Sequence, residues 1–161
     1  MSNVIHAVVI TVSDSAASGR RQDESGPAAC RLLREAGYAV AEPVVVPDSR
    51  PFIAARIREA AATASVVITT GGTGLAPRDV TPEGTRDVID REVPGIAELL
   101  RAEGRRSTPT ACLSRGVAGL VGRCLVVNLP GSPAAVKEGL ATLLPVLTHA
   151  LRIAAGDTEH S

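Results

Sequence analysis

The sequence predicts an α/β fold of three layers, with a mostly parallel sheet flanked by helices. Strand-like and helix-like segments alternate along the chain, as in a sheet connected by helical crossovers. The strand-like runs are also nearly continuous in apolar residues, as strands covered on both faces are. A third observation locates function on this frame. Three strands end in small polar residues, and ligands of open α/β sheets bind beyond the carboxyl ends of the strands.

Residues 4–12 read as the first buried strand, followed by a polar stretch over 13–25. Ser25, Gly26 and Pro27 open a helix, since proline suits the first turn. Ala29, Leu32, Leu33 and Ala36 form its buried stripe, and Gly37 ends it. Residues 38–46 form a second strand. Pro43 inside it cannot donate to a ladder, which argues for an edge or a bulge. Residues 50–63 form a helix with Ile53, Ile57, Ala60 and Ala61 on one face. Residues 65–70 form a strand that runs into a glycine loop. Thr81 and Pro82 read as the N-cap and first position of a short helix reaching Asp90, weakened by Gly84. Pro94 and Gly95 break the pattern before a helix carrying Ile96, Leu99 and Leu100. Residues 104–122 read as loop, with a short helix around 111–118. Residues 124–129 form the last strand. Ser132 and Pro133 cap a long helix with Val136, Leu140, Leu143, Leu147 and Leu151 in register, and Pro145 should kink or interrupt it.

With 161 residues the chain is expected to form one domain, residues 1–155, with a polar tail at 156–161. A domain of this size buries roughly 70% of the surface exposed by its unfolded chain, so it needs no disulfide or metal staple. Formal net charge is zero, and Tyr38 and Phe52 are the only aromatic residues. Nucleic acid finds neither a basic field nor stacking platforms, and is not an expected partner. Lys137 is the only lysine, and Leu75 stands where a Walker-type loop needs one. Cys30, Cys112 and Cys124 are odd in number and fit no metal spacing; Cys30 and Cys124 read as buried thiols. His6, His149 and His160 are scattered. With no signal segment and no apolar run of membrane length, the expected location is the cytoplasm, with no membrane partner.

The strongest motif is Thr69-Thr70-Gly71-Gly72-Thr73-Gly74, followed by Arg78-Asp79-Val80-Thr81-Pro82-Glu83. Glycines let backbone N–H groups turn toward an anion where a Cβ would block it. Asp79 adds a hard-cation ligand, which together points to a phosphate site using Mg²⁺. A tight turn without ligand fits the four loop residues equally well. Three strand ends on one rim, at residues 11–15, 70–74 and 128–132, favour a site. Taken singly, Asp14 fits an Asx-turn or a ligand contact. Asp48 fits a helix cap contributing about 1 kcal/mol. Asp79 divides evenly between a turn and a metal. Ser132 fits an N-cap whose helix would also attract an anion.

These residues resemble the Mog/MoaB family of molybdenum-cofactor biosynthesis. Residues 71–74 with 78–83 carry the likeness. So do Arg91-Glu92-Val93-Pro94-Gly95, Leu113-Ser114-Arg115 with Val117-Ala118-Gly119, Asn128-Leu129-Pro130-Gly131-Ser132-Pro133, and the strand end Thr11-Val12-Ser13-Asp14-Ser15. The resemblance covers nearly the whole chain and implies a molybdopterin-binding-like fold. It implies a molybdopterin adenylyltransferase: molybdopterin and MgATP give adenylylated molybdopterin and pyrophosphate. Asp48 and Asp79 match the family's two critical aspartates and are the expected Mg²⁺ ligands. Gly71, Gly72, Thr73 and Gly74 would bind phosphate or pterin groups. Ser13, Asp14, Ser114, Pro130, Gly131 and Ser132 would line the pterin pocket, with Glu83 supporting the loop. The resemblance also implies a homo-oligomer, a trimer, and hand-over of product to a molybdenum-insertion protein, whose separate module the chain is too short to include. The alternative is a non-catalytic molybdopterin-binding carrier or regulator.

Overall fold

The structure, a computed structural model, describes residues 3–158. Among these, β1 (His6–Val12), β2 (Ala39–Val40), β3 (Val44–Val46), β4 (Val66–Thr70), β5 (Arg91–Glu92), β6 (Ala118–Val121) and β7 (Cys124–Leu129) form one sheet. The helices are α1 (Asp14–Ala17), α2 (Ser25–Glu35), α3 (Arg50–Ala61), α4 (Thr81–Arg86), α5 (Pro94–Gly104) and α6 (Pro133–Ala154), with a 3₁₀ turn at Pro109–Leu113. The strand order is β2-β1-β4-β7-β6-β5, and β3 also pairs with β1. Strands β2, β3 and β4 run parallel to β1, and β7 runs parallel to β4. Only β6 and β5 are antiparallel to their neighbours.

The continuous apolar runs are explained by the two layers of helix. Ala7, Val9, Val66, Ile68, Leu125, Val127 and Leu129 face a core built with α2 and α6. Ile10, Val12, Val67, Cys124 and Val126 face the opposite core, built with α3. Alternate residues of each strand thus enter different cores, and both faces are mainly apolar, with buried threonines and Asn128 toward the strand ends. The α6 stripe is as expected, with Val136, Leu140, Leu143, Leu147 and Leu151 all buried. Cys30 and Cys124 are buried, which pushes their thiols up to about 11 and about 12.

Several local expectations are corrected. The strand at 38–46 is split into β2 and β3 around Pro43, both pieces lying on the outer side of β1. Ala36 is exposed, and Cys30 completes the α2 stripe in its place. Residues 111–118 are not a helix: the 3₁₀ turn ends at Leu113 and β6 begins at Ala118. Pro145 does not interrupt α6. It lies on the exposed face, where water can reach the Ala141 carbonyl that it leaves unpaired. Of the expected tail, residues 159–161 lie outside the described residues. Among the described residues, no helix is long and apolar enough to cross a membrane.

Candidate active site

Three neighbouring parallel strands end level with one another. Thr11 of β1 pairs with Thr70 of β4, and Thr70 pairs with Leu129 of β7. The next residues, Val12-Ser13-Asp14, Gly71–Gly74 and Pro130-Gly131-Ser132, therefore leave the sheet side by side. This is the rim that the sequence predicts. It lies where the connections from β1 diverge to opposite sides, the usual ligand crevice of such sheets.

The glycine loop is held from beneath. Gly71 N–H donates to the Leu129 carbonyl (3.0 Å), Thr81 N–H to the Gly72 carbonyl (3.1 Å), and Thr81 Oγ1 to the Gly71 carbonyl (2.9 Å). Thr81 is thus not the N-cap of α4 but its first residue, and its hydroxyl fastens the loop instead. Below it, Thr85 Oγ1 donates to the Thr81 carbonyl (2.8 Å), and Asn128 Nδ2 reaches Thr69 Oγ1 (2.9 Å) and Thr85 Oγ1 (3.0 Å). Gly71 and Gly72 have φ of +93° and +68°, a conformation that side chains disfavour. Among the described residues, nothing accepts a hydrogen bond from the N–H groups of Gly72, Thr73 or Gly74. Donors left open in this way suit an anion.

Asp48 and Asp79 flank this loop. A Cβ on Gly72 would lie 3.2 Å from Asp48 Oδ1, and one on Gly74 would lie 2.9 Å from Asp79 Oδ2. Asp48 does not cap α3, whose N-cap position belongs to Ser49. It exchanges hydrogen bonds with Asp14: Asp14 N–H donates to Asp48 Oδ2 and Asp48 N–H to Asp14 Oδ1, both at 2.9 Å. Burial pushes the Asp48 carboxyl above its ordinary range, and the nearby Asp14 and Asp79 charges add to the rise. Arg78 Nε donates to Asp14 Oδ2 (2.6 Å), and that hydrogen bond holds the Asp14 carboxyl below its ordinary range. Arg78 is therefore the partner of Asp14 rather than of its sequence neighbour Asp79. The Asp79 carboxylate instead accepts from Ala76 N–H (3.1 Å), closing its own turn.

Two clefts open at this rim, and the loops meet closely there, since a Cβ on Gly131 would lie 3.1 Å from the Gly71 Cα. The larger, of about 800 Å³, includes Thr73, Gly74, Arg101, Ser114, Pro130 and Ser132 in its wall. The smaller, of about 310 Å³, includes Ser13, Gly71, Gly131 and Ser132. Asp14, Gly72, Asp48, Asp79 and Glu83 line neither cleft; they lie on the segments around the entrances to α1, α3 and α4. The predicted residues thus gather around one loop, but on different sides of it. Ser132 caps α6 by accepting from Ala135 N–H (3.1 Å).

Sequence reasoning missed the arginines. Arg115 donates to Gly74, Asp79 and Glu83, and Arg101 Nη1 donates to the Ser114 and Gly116 carbonyls. It missed Thr81, Thr85 and Asn128 as supports too. Only adjacency to Ser114 and Asp79 singled out Arg115 and Arg78. Among the described residues, no group of three or more His, Cys, Asp or Glu is arranged to hold a metal by itself.

Comparison with known proteins bears on the family and the fold. Residues 8–149 match the family described as "Probable molybdopterin binding domain". The chain is 36% identical to molybdopterin adenylyltransferase of Helicobacter pylori strain J99, over 95% of this chain and 89% of that one. It is similar to the MoaB structure from Thermus thermophilus (TM-score 0.89, 48% identity, 95% and 98% of the two chains). It is likewise similar to the Mog structure from Mycobacterium ulcerans (TM-score 0.89, 42% identity, 96% and 99%). The chain spans only 26% to 48% of the length of several longer relatives named for molybdenum cofactor synthesis. On its family match and its identity to these relatives, the chain belongs to the molybdopterin-binding domain family of molybdenum-cofactor biosynthesis.

Proposed function

We propose that this chain is a molybdopterin adenylyltransferase, with residues 1–155 as the working unit. The terminal phosphate of molybdopterin attacks the α-phosphate of ATP. One P–O bond forms there, the bond to the β-phosphate breaks, and the electron pair leaves with pyrophosphate. The attacking phosphate is already ionised, so no strong general base is required. The chain must align two anions and offset their charge. The observation that carries the reading is the glycine loop, with open N–H donors at residues 72–74 and a carboxylate on either side.

The donor set fits Mg²⁺. This ion binds through one or two carboxylates with substrate phosphates and water, and does not need a full protein cage. Asp48 and Asp79 would hold it, and it would supply charge stabilisation to the transferring phosphate. The loop N–H groups orient the phosphates, Ser114, Pro130 and Ser132 offer the pterin the larger cleft, and Ser13 and Gly131 continue the surface on the smaller side. The further proposals are a homotrimer, a cytoplasmic location and release of product to a molybdenum-insertion protein. Light scattering at micromolar concentration tests the trimer, and a monomer would refute it.

The carrier reading keeps one observation in its favour: the roomier cleft is formed without either aspartate. Incubating the protein with molybdopterin and MgATP separates the two readings. Adenylylated molybdopterin and pyrophosphate are expected. Tight pterin binding with no product would select the carrier.

A further inference from the structure

Arg115 makes more hydrogen bonds around the glycine loop than that loop's own side chains, yet it touches neither Asp carboxylate. Its backbone N–H donates to the Thr73 carbonyl (2.8 Å). Its guanidinium then uses all three nitrogens: Nε donates to the Gly74 carbonyl (2.8 Å), Nη2 to the Asp79 carbonyl (2.6 Å), and Nη1 to Glu83 Oε1. Gly74 and Asp79 are the two ends of an exposed excursion, residues 75–78. One planar fork therefore closes the base of the excursion that carries Asp79.

The fork is itself aimed. Glu83 pairs with it, and Arg115 holds the Glu83 carboxyl below its ordinary range. The other Glu83 oxygen is buried without a hydrogen-bond partner, while the side chain as a whole is 32% exposed. On the far side, Arg101 Nη1 bridges the carbonyls of Ser114 (3.3 Å) and Gly116 (2.9 Å), fixing the backbone on both sides of Arg115. Ser114 faces the larger cleft. One short segment thus meets the cleft with one residue and grips the Asp79 turn with the next.

We propose that Arg115 is a positioning residue for adenylyl transfer, which sets the place of Asp79 through its main chain; this rests on the adenylyltransferase reading. A lysine keeps the charge but cannot reach two carbonyls and a carboxylate at once. Misplacement of a reacting group by about 1 Å can cost roughly 10²-fold.

The test is Arg115→Lys, alone and combined with Asp79→Asn. Turnover should fall roughly 10- to 100-fold, with the Kd for molybdopterin nearly unchanged. Hydrogen exchange at the amides of residues 74–79 should quicken while the rest of the chain exchanges as before. Combined with Asp79→Asn, the lysine should add little further loss, because both changes remove the same contact. Unchanged turnover and exchange in Arg115→Lys would overturn the proposal, as would an additive loss in the double variant. If the unmutated chain forms no product, the adenylyltransferase reading fails separately. The clamp is then judged on exchange, and unchanged exchange at 74–79 overturns it.

Discussion

Asp48 and Asp79 stand on either side of one glycine loop but are mounted differently, one across two strand ends and one within a turn. Asp48 is fixed by a reciprocal pair: its carboxylate accepts from Asp14 N–H and its own N–H donates to the Asp14 carboxylate, across the ends of two paired strands, β1 and β3. Asp79 is fixed within its own turn, where its N–H and its carboxylate both bond the Ala76 main chain, and by a guanidinium that arrives from residue 115. The Asp48 mount depends on two neighbouring strand ends and on the Asp14 carboxylate. The Asp79 mount depends on a local turn and on one remote guanidinium.

The largest effect should come from Asp79→Asn, which removes a charge at almost constant shape. Adenylyl transfer should fall on the order of 10²–10³-fold, with folding and molybdopterin binding retained. Turnover near that of the unmutated chain would break the comparison on its most exposed side.

Asp48→Asn should cost transfer similarly but change stability in a direction of its own. The folded-state carboxyl is raised above its ordinary value by burial. The folded chain therefore holds that proton more tightly than the unfolded chain. Stability is greatest below the unfolded value and declines as pH rises through the folded one. Asparagine does not titrate and can still accept from Asp14 N–H. At pH 7 the variant should melt at or above the unmutated chain, and the difference should shrink as the pH is lowered below the ordinary carboxylate range. A lower melting temperature at pH 7 would show the carboxylate to be a net stabiliser.

Gly72→Ala tests the loop between the two. Its φ is +68°, and the added Cβ would collide with Thr81 Oγ1, so a loss of about 1–3 kcal/mol is expected in denaturant unfolding. The smallest effect belongs to Arg78→Gln. Arg78 is 69% exposed, and solvent screens its pair with Asp14, so the melting temperature should barely move. A large drop would mean that the Asp14–Asp48 exchange depends on the Arg78 guanidinium.

The parallel half of the sheet was legible because β1, β4 and β7 must be apolar on both faces, and continuous runs announce that need. The edge formed by β5 and β6 was not. Arg91 and Glu92 are exposed, and Gly119 pairs with Glu92 at a position where a Cβ would lie 2.7 Å from the Arg91 carbonyl oxygen. That strand pairing follows from close backbone approach, which leaves no hydrophobic period. The rim could be read from its small residues. The pairings within it could not: capping was the better prior for Asp48 alone, and nothing local announces a partner 34 positions away. Arg115 was hidden for the same reason, since its three acceptors lie 32 to 41 positions upstream.

The two borders of the sheet share a property with consequences outside the site. One border is β5, two residues long, both charged and exposed. The other is β2 and β3, two and three residues long, parted by a stretch containing Pro43. Neither presents a long row of unpaired N–H and carbonyl groups, so neither can serve as a template for another strand. At high concentration such a chain is expected to resist fibrous aggregation through its edges. Copies of it that associate must do so through side-chain surfaces, leaving the sheet closed to extension.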